Sequence, residues 1–304
     1  MRPIFPLSVL CLAVGLVNAC KPEEVVQTED IPTAGIRFIN AVPDTGAMDF
    51  RAVDIVENSA SYNVAFRSTT LLYYKPARAG TRNFKIFRTP TATDPSATQI
   101  ATAQTVVFDL AGEVLEAGKR YTYILWGYSR PGSTPAMQIT RLTDDPTDPG
   151  AQVALRIINA CVPGLCGASA DGAVDVRVFT AAQTIAAPAT TFPAVAALTA
   201  SAYQNVATTT GCGTTSSTLP NCYTFDFRPV GGATAGAALA SGAGPAGILE
   251  AVDLDAVPGT NVAGSAVSAI LFPRSLAGTQ AVSFTTPGII FVWDKRPPRT
   301  CALC

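Results

Sequence analysis

Histidine is absent from all 304 residues of the sequence. Without an imidazole the chain has no Ser-His-Asp or Cys-His catalytic group of the ordinary kind and no His-ligated metal site. Charge is also scarce: charged residues make up 14% of the chain and the net charge is −1, so no basic surface is available to neutralise phosphates. These deficits predict a protein that is not an enzyme and does not bind nucleic acid.

Long hydrophobic runs are missing beyond the N-terminus. The apolar stretch over residues 4–17 is shorter than the about 20 residues that a membrane-spanning helix needs. It ends in Leu16-Val17-Asn18-Ala19-Cys20, which resembles the lipobox of bacterial lipoproteins, where the thiol of the cysteine is acylated and the signal peptide is removed. The resemblance implies a lipoprotein signal peptide over 1–19 and a lipid anchor on Cys20. A plain secretory signal with a coincidental cysteine is the alternative.

Glycine and proline, in contrast, are abundant, with 24 and 23 residues. They interrupt the chain too often for long helices, whereas the small and β-branched residues between them favour short strands. A polar, acidic segment over 20–33 predicts a flexible tether behind the signal peptide. Beyond it, alternating apolar and polar residues predict an all-β fold of two tandem immunoglobulin-like β-sandwich domains.

Two short motifs occur twice, and their repetition predicts a duplicated domain. Residues 35–41 (GIRFINA) are matched by residues 154–160 (ALRIINA), and residues 46–51 (GAMDFR) by residues 172–177 (GAVDVR). The spacing is far longer than the ~20–50-residue units of solenoid proteins. The repeat sets three predicted segments: a first sandwich over 34–145, an acidic, Pro-rich linker over 146–152 and a second sandwich over 153–304.

Further strands are predicted between the glycine and proline residues of both copies. They cover residues 70–74, 82–87, 104–108, 120–126, 137–142, 266–272 and 288–293. The Ala/Thr-rich stretch 181–218 and the Gly/Ala/Ser stretch 231–247 predict long loops or weak edge strands. Residues 115–121 (LEAGKRY) are typical of a tyrosine corner, in which the tyrosine hydrogen-bonds back to the preceding turn; an edge tyrosine without such a partner is the alternative.

Six cysteines remain once Cys11 leaves with the signal peptide and Cys20 carries lipid. They are Cys161, Cys166, Cys212, Cys222, Cys301 and Cys304. In an exported protein they predict up to three disulfides. A Cys212–Cys222 bridge would close the end of the Ala/Thr-rich stretch, and local Cys161–Cys166 and Cys301–Cys304 bridges are the simplest pairing of the other four. Disulfides from Cys161 and Cys166 to Cys301 and Cys304 are an open alternative. If the first and last strands of the second copy ran parallel, the strands that end near residues 160 and 294 would finish at the same end of the sandwich. Zinc binding by the same cysteines is a further alternative.

These motifs resemble those of domain-of-unknown-function family 4397. The residues that carry the resemblance are 37–44 (RFINAVPD), 48–50 (MDF), 156–160 (RIINA) and 174–176 (VDV), with Ala-Gly pairs at 79–80 and 117–118. Many members of that family have histidine where Asn40 and Asn159 stand. The resemblance implies an exported, often duplicated sandwich domain, and it supplies neither an established activity nor catalytic residues.

Five aspartates are the candidate contacts for a ligand or cation. Asp49 and Asp175 repeat between the copies and would either face a ligand or cation, or play a structural role as a solvent-side or turn-bonding aspartate paired with the neighbouring Arg37 or Arg156. Asp144, Asp145 and Asp148, at the linker, would suit Ca²⁺, which takes six to eight oxygen ligands; an ordinary acidic linker is the alternative. No other cofactor is predicted.

Together these features predict a non-enzymatic, lipid-anchored protein of the bacterial cell envelope, at the outer membrane where the host has one. Its partners would be the bilayer, through Cys20, and a cell-wall polymer, a polysaccharide or another envelope protein. The aromatic residues available for binding sugar are Tyr73, Tyr74, Trp126, Tyr128 and Trp293. Two alternatives are a purely structural spacer and a glycan hydrolase that uses paired carboxylates. The carboxylates available for hydrolysis are Asp49, Asp54, Glu57, Asp109 and Glu113.

Overall fold

β-Strands supply all the regular secondary structure of the described residues. A computed structural model of the chain describes residues 30–55, 60–68, 73–88, 105–167, 172–210, 212, 222–231, 237–249 and 255–298. Within these ranges no helix has the length and hydropathy that crossing a membrane requires. Residues 33–304 belong to one compact unit. The predicted all-β, sandwich-type fold is confirmed.

The first copy contributes eight strands that form two four-stranded sheets. They are β1 (Thr33–Asn40), β2 (Met48–Ala52), β3 (Ser61–Val64), β4 (Lys75–Arg78), β5 (Gly80–Arg88), β6 (Val106–Leu115), β7 (Arg120–Trp126) and β8 (Gln138–Thr143). The sheet orders are β4-β1-β7-β8 and β3-β2-β5-β6. Strand β1 runs parallel to β7, and β7 runs antiparallel to β8.

The second copy repeats this topology with nine strands. They are β9 (Gln152–Asn159), β10 (Val174–Phe179), β11 (Thr190–Val195), β12 (Thr199–Ala200), β13 (Gln204–Ala207), β14 (Thr224–Pro229), β15 (Ala240–Ala243), β16 (Ala266–Phe272) and β17 (Gly288–Lys295). The orders are β12-β9-β16-β17, with β13 also on β9, and β11-β10-β14-β15. Strand β9 runs parallel to β16, as β1 does to β7.

Both opening strands are buried on two faces, which explains why their motifs are almost wholly apolar. On β1, Ile36 and Phe38 point into the core of the first sandwich, where Phe38 stacks on Phe50 at 5.2 Å and Phe50 on Phe84 at 4.9 Å. Ile39 points the other way, into a separate core. Period-two alternation therefore divides one strand between two hydrophobic cores.

This separate core joins the two copies. Its buried members come from both of them: Ile39, Ala41, Phe66, Ile124, Trp126, Ile158, Ala160, Ile270, Phe272 and Val292. Each sandwich also has an internal core of its own. The four sheets are therefore stacked, with the β1 and β9 sheets packed against each other in the middle and the β2 and β10 sheets outside.

Two strand predictions need correction. Of the strand expected over 70–74, residues 70–72 lie outside the described residues, and β4 begins only at Lys75, on a sheet edge that tolerates Pro76. Strand β6 runs to Leu115 because Gly112, with a φ of 77°, lies where the register with β5 shifts instead of ending the strand.

The stretch 181–218 was predicted to form long loops or weak edge strands, and its described residues contain the edge strands β11, β12 and β13. Its small residues form strands where only one neighbour must be satisfied.

Two of the predicted local disulfides are confirmed. Cys161 is bonded to Cys166, and Cys212 to Cys222, so zinc binding by the first pair is wrong. The argument for cross-links is also wrong, because β9 runs parallel to β16 and not to the last strand, β17, which runs antiparallel to β16. Strands β9 and β17 therefore end at opposite ends of their sheet. Cys11, Cys20, Cys301 and Cys304 lie outside the described residues.

The predicted tyrosine corner provides a test of the fold. The backbone N–H of Glu116 donates to the hydroxyl of Tyr121 at 3.1 Å, while the ring of Tyr121 is buried in the first core. We expect Tyr121→Phe to lower the free energy of unfolding by about 0.5–1.5 kcal/mol, measured by urea denaturation. Tyr73→Phe, at a side chain that is 60% exposed, is the control and should change nothing. Equal effects of the two variants would contradict a role for the corner.

Candidate functional site

Two arginines at corresponding positions of the copies are buried where the middle sheets meet. Arg37 on β1 is 1% exposed and Arg156 on β9 is 3% exposed. An unpaired charge in such a place costs several kcal/mol, so both guanidinium groups require partners. Both have them.

Arg37 is bonded to residues of both copies. Its Nε and Nη2 donate to Oγ1 of Thr122 at 3.0 and 2.7 Å, and Nη2 also donates to Oδ1 of Asp294 at 2.7 Å. Its Nη1 donates to the backbone carbonyl of Trp293 at 3.0 Å. Arg37 thus connects a hydroxyl of its own sandwich with a carboxylate and a strand backbone of the other.

Arg156 makes the reciprocal set of bonds. Its Nε donates to Oγ of Ser268 at 2.7 Å, and its Nη2 donates to Oδ1 of Asp144 at 2.6 Å. Asp294 Oδ2 lies 3.2 Å from the same Nη2, so this carboxylate contacts both arginines. The two hydroxyls, of Thr122 and Ser268, in turn donate to Asp144 and Asp294.

The two halves of this network correspond residue by residue. In each copy the arginine lies opposite a hydroxyl residue on the parallel neighbouring strand: Arg37 opposite Thr122, and Arg156 opposite Ser268. The residue that pairs with this hydroxyl residue on the last strand is followed two positions later by an aspartate, Asp144 or Asp294. A tyrosine ring lies over each guanidinium group, with its centroid 4.4 Å from Cζ of Arg37 and 4.6 Å from Cζ of Arg156. We call these eight residues the junction: Arg37, Tyr74, Thr122 and Asp144 from the first copy, and Arg156, Tyr203, Ser268 and Asp294 from the second.

The charges of the junction neutralise one another within the buried network. Burial by itself would raise the pKa of Asp294, but Arg156 and Arg37 outweigh it and hold the pKa of this carboxyl below its usual range. Burial, with the nearby carboxylates, raises the pKa of Tyr74 and of Tyr203, so both phenols stay neutral and donate, to Asp144 at 2.8 Å and to Asp294 at 3.0 Å. Two cations face two anions, and each charge is already paired. The arrangement suits a structural link and not acid–base chemistry.

The repeated aspartates Asp49 and Asp175 also have structural partners. Asp49 accepts the backbone N–H of Asn63 at 2.7 Å, and Asp175 accepts that of Ala194 at 2.8 Å. Asn63 and Ala194 have φ values of 52° and 48°, and they lie where the register of the neighbouring strand shifts. Each aspartate therefore satisfies a backbone N–H in the strand beside it.

The predicted pairing of these aspartates with Arg37 and Arg156 is wrong. Asp49 pairs instead with Arg51, at 2.5 Å, and the second oxygen of Asp175 accepts the N–H of Gly231 at 2.9 Å. The reason is topological, because β1 and β2, like β9 and β10, belong to different sheets with a hydrophobic core between them.

Asn40 and Asn159, where many members of the resembled family have histidine, also play matching roles. The side-chain amide of Asn40 donates to the carbonyl of Val64 at 3.0 Å, and that of Asn159 donates to the carbonyl of Val195 at 2.9 Å. In both cases the amide oxygen accepts the N–H two residues further on. These buried asparagines fasten the end of the opening strand to the edge strand of the other sheet, which is β3 in the first copy and β11 in the second.

The three linker aspartates point to different partners. Asp144 is buried in the junction, whereas Asp145 is exposed and paired with Lys119. Asp148 accepts the N–H of Gly150 at 3.2 Å and lies 3.5 Å from Nζ of Lys295. Across the described residues, no three His, Cys, Asp or Glu side chains are grouped in a way that would hold a metal ion.

A cleft of about 580 Å³ opens directly above the junction. Its lining residues come from both copies: Tyr73, Tyr74, Arg120, Pro245, Phe291, Val292, Trp293, Asp294, Lys295 and Arg296. Tyr73 is 60% exposed and Trp293 is 40% exposed. Of the five aromatic residues proposed for sugar binding, three line this cleft; Trp126 is fully buried in the shared core, and the hydroxyl of Tyr128 bonds to the carbonyl of Pro163 elsewhere.

Comparison with known proteins identifies the first part of the chain. Residues 34–164 match the domain described as "Domain of unknown function (DUF4397)". This region resembles the DUF4397 family. Among curated proteins no sequence matches the chain. The DUF4397 match covers the first sandwich and continues through β9, so it contains Arg37, Asp144 and Arg156 but not Asp294.

The sequence pattern alone does not predict the junction. One signal was available: Arg37 alternates with Ile36 and Phe38, but Ile39 and Ala41 on its own face are also apolar, which is unusual for a face in water. A buried arginine on an apolar face requires a carboxylate. The repeat offers Asp144 directly after the last strand of the first copy, β8, and Asp294 near the end of the last strand of the second, β17.

The junction predicts a large cost for removing one of its charges. In Asp294→Asn two buried guanidinium groups keep a single carboxylate, so we expect the free energy of unfolding to fall by about 3–5 kcal/mol in urea denaturation. The control is Asp109→Asn, which breaks the exposed pair with Lys85 at 3.0 Å and should cost less than about 1 kcal/mol. A cost for Asp294→Asn as small as the control's would refute this account of the junction.

The junction also predicts a dependence of stability on pH. Asp294 has a lower pKa in the folded protein than in the unfolded chain, where it is about 3.9. Its carboxylate therefore stabilises the fold above that pH, and the contribution is lost as the pH falls through the folded-state value. We expect the free energy of unfolding to decrease more steeply with acidification below about pH 4 in the wild type than in Asp294→Asn. Parallel curves would show that Asp294 is not the group responsible.

Proposed function

We propose that this protein is a lipid-anchored, non-enzymatic component of the bacterial cell envelope that binds a polymer outside the cytoplasm through the cleft above the junction. The observation that carries the proposal is the pair of exposed aromatic side chains, Tyr73 and Trp293, that line the same cleft. Most of the other large aromatic rings are buried in the cores.

The composition of the cleft supports binding. Sites for small molecules and chain segments are concave, measure roughly 300–1,000 Å³, and combine aromatic walls with a few polar groups. The cleft has this size, two exposed rings and the partly buried Phe291 in its walls, and charged side chains at its rim. Exposed rings of this kind stack on the apolar faces of sugars, and a tyrosine or tryptophan does so at a low cost in conformational entropy.

Export is supported by the disulfides and by the N-terminal sequence. Cys161–Cys166 and Cys212–Cys222 are bonds that persist in oxidising compartments outside the cytoplasm. The lipobox-like residues 16–20 and the polar segment behind Cys20 would tether the folded part to a bilayer.

The cleft favours binding over hydrolysis. A glycan hydrolase of the two-carboxylate type requires two acids about 5–9 Å apart on either side of the scissile bond. Among the residues that line the cleft the carboxylate is that of Asp294, which is neutralised by two arginines. A spacer, the other alternative, gives no reason for two exposed aromatic rings to share one cleft.

The test compares the wild type, in a bacterium that processes lipoproteins, with a variant in which an ordinary cleavable secretory signal replaces residues 1–20. We expect this secreted variant in the soluble extracytoplasmic fraction and the wild type in the membrane fraction. The soluble variant is then mixed with isolated cell wall and with purified surface polysaccharide. Saturable co-sedimentation with at least one polymer is expected, and Trp293→Ala or Tyr73→Ala should weaken it at least tenfold.

Val282→Ala is the matched control, because Val282 is 48% exposed and does not line the cleft. This change should leave the binding unaltered. Loss of binding in the control as well, or no retention of the protein by any polymer, would overturn the proposed binding role. Wild-type protein that stays soluble with an unmodified Cys20 would overturn the anchor.

A further inference from the structure

The cleft has a basic rim in a protein whose net charge is −1. Arg120, Lys295 and Arg296 line it, and the same three residues continue into a neighbouring cleft of about 230 Å³ together with Lys119. The acids nearby are already engaged, since Asp145 is paired with Lys119 and Asp148 lies 3.5 Å from Lys295. The two connected clefts therefore carry an excess of positive charge.

The duplication provides an internal comparison for these residues. Each cleft residue has a counterpart in the other copy at the same offset from a junction residue. The counterparts of Tyr73 and Arg120 are Ala202 and Ala266, and those of Trp293, Lys295 and Arg296 are Thr143, Asp145 and Pro146. The junction is the same on both sides, whereas the aromatic and basic residues are present on one side only.

This asymmetry shows that the fold does not require the cleft residues. The same strands, paired in the same order and closed by the same junction, accept alanine, threonine, aspartate and proline at the corresponding positions. Two exposed rings, together with a group of cations that the other copy lacks, point to a ligand, and the ligand has to match both groups at once. Cations at the rim select anions, and guanidinium groups hold carboxylate, sulfate or phosphate in bidentate geometry.

We propose that the cleft binds an acidic glycan, with a sugar face against Tyr73 and Trp293 and its anionic groups against Arg120, Lys295 and Arg296. The inference rests on the proposed function, since it names the class of polymer that the same cleft takes. The ligand's negative charge meets no competing repulsion from Asp294, because both arginines of the junction neutralise that carboxylate. The backbone carbonyl of Asp294 also accepts a bond from Arg120 Nη1 at 2.8 Å, which aligns this cation along the cleft wall.

The experiment titrates the soluble secreted variant, which lacks residues 1–20, with three polysaccharides of similar length: polygalacturonate, dextran sulfate and neutral dextran. We expect at least one acidic polymer to bind tenfold or more tightly than dextran, with an affinity that falls as salt is raised. Lys295→Gln combined with Arg296→Gln should weaken that binding at least tenfold. Lys85→Gln combined with Arg130→Gln removes the same charge outside the cleft and should leave it unchanged.

Two outcomes would refute binding of an acidic glycan, and they can be told apart. Equal binding of dextran and the acidic polymers, sensitive to Trp293→Ala but not to the charge variants, would leave the proposed function intact and refute the acidic ligand. Binding to phosphatidylglycerol vesicles in place of any glycan would assign the basic rim to a membrane and refute it also. The thermal unfolding midpoint of each variant is measured as a control. Surface substitutions rarely alter stability by more than about 0.5 kcal/mol, so we expect unchanged midpoints, and any loss of binding then comes from the cleft.

Discussion

Two buried guanidinium groups, each neutralised by a carboxylate of the other copy, hold the middle of this molecule together. Arg37 bonds Asp294 at 2.7 Å and Arg156 bonds Asp144 at 2.6 Å. The surrounding apolar faces would tolerate several alignments of one sheet on the other, but the four ionic groups are all satisfied in only one. The junction therefore fixes how the β1 and β9 sheets pack, and with them the two sandwiches.

The geometry of the cleft follows from the same bonds. Trp293 and Lys295 flank Asp294 along β17, so anchoring Asp294 fixes the segment that forms one wall. Arg37 also holds the carbonyl of Trp293 at 3.0 Å, and Arg120 that of Asp294. A ligand would thus meet a wall that is already in place and would lose little affinity to ordering it.

The positions of strands were predictable from the sequence where apolar residues form long runs or alternate regularly with polar ones, and less so elsewhere. The expected strands over 120–126 and 266–272 are β7 and β16, and the bounds agree because long apolar runs leave no other choice. The burial of Arg37 could not be predicted from alternation, because a polar residue in an alternating strand normally faces water, whereas here the whole face is covered by the second copy. Alternation identifies the two faces of a strand but not what covers each of them. The pairing of Asp144 and Asp294 with these arginines is a contact between distant strands, and only the register of the duplicated sheets reveals it.

Comparison of the two copies separates structural from functional residues by a physical criterion. A buried charge is difficult to replace, because removing one partner leaves the other unpaired at a cost of about 3–5 kcal/mol, so the junction is retained on both sides. Asp49 and Asp175 match for a related reason, since each satisfies a backbone N–H in an irregular strand. Exposed positions change at little cost, and Tyr73 and Trp293 differ from Ala202 and Thr143 without any change in the strands that carry them. In a duplicated fold of this kind, repeated polar residues identify the framework, and the exposed positions at which the copies differ are the candidates for a binding surface.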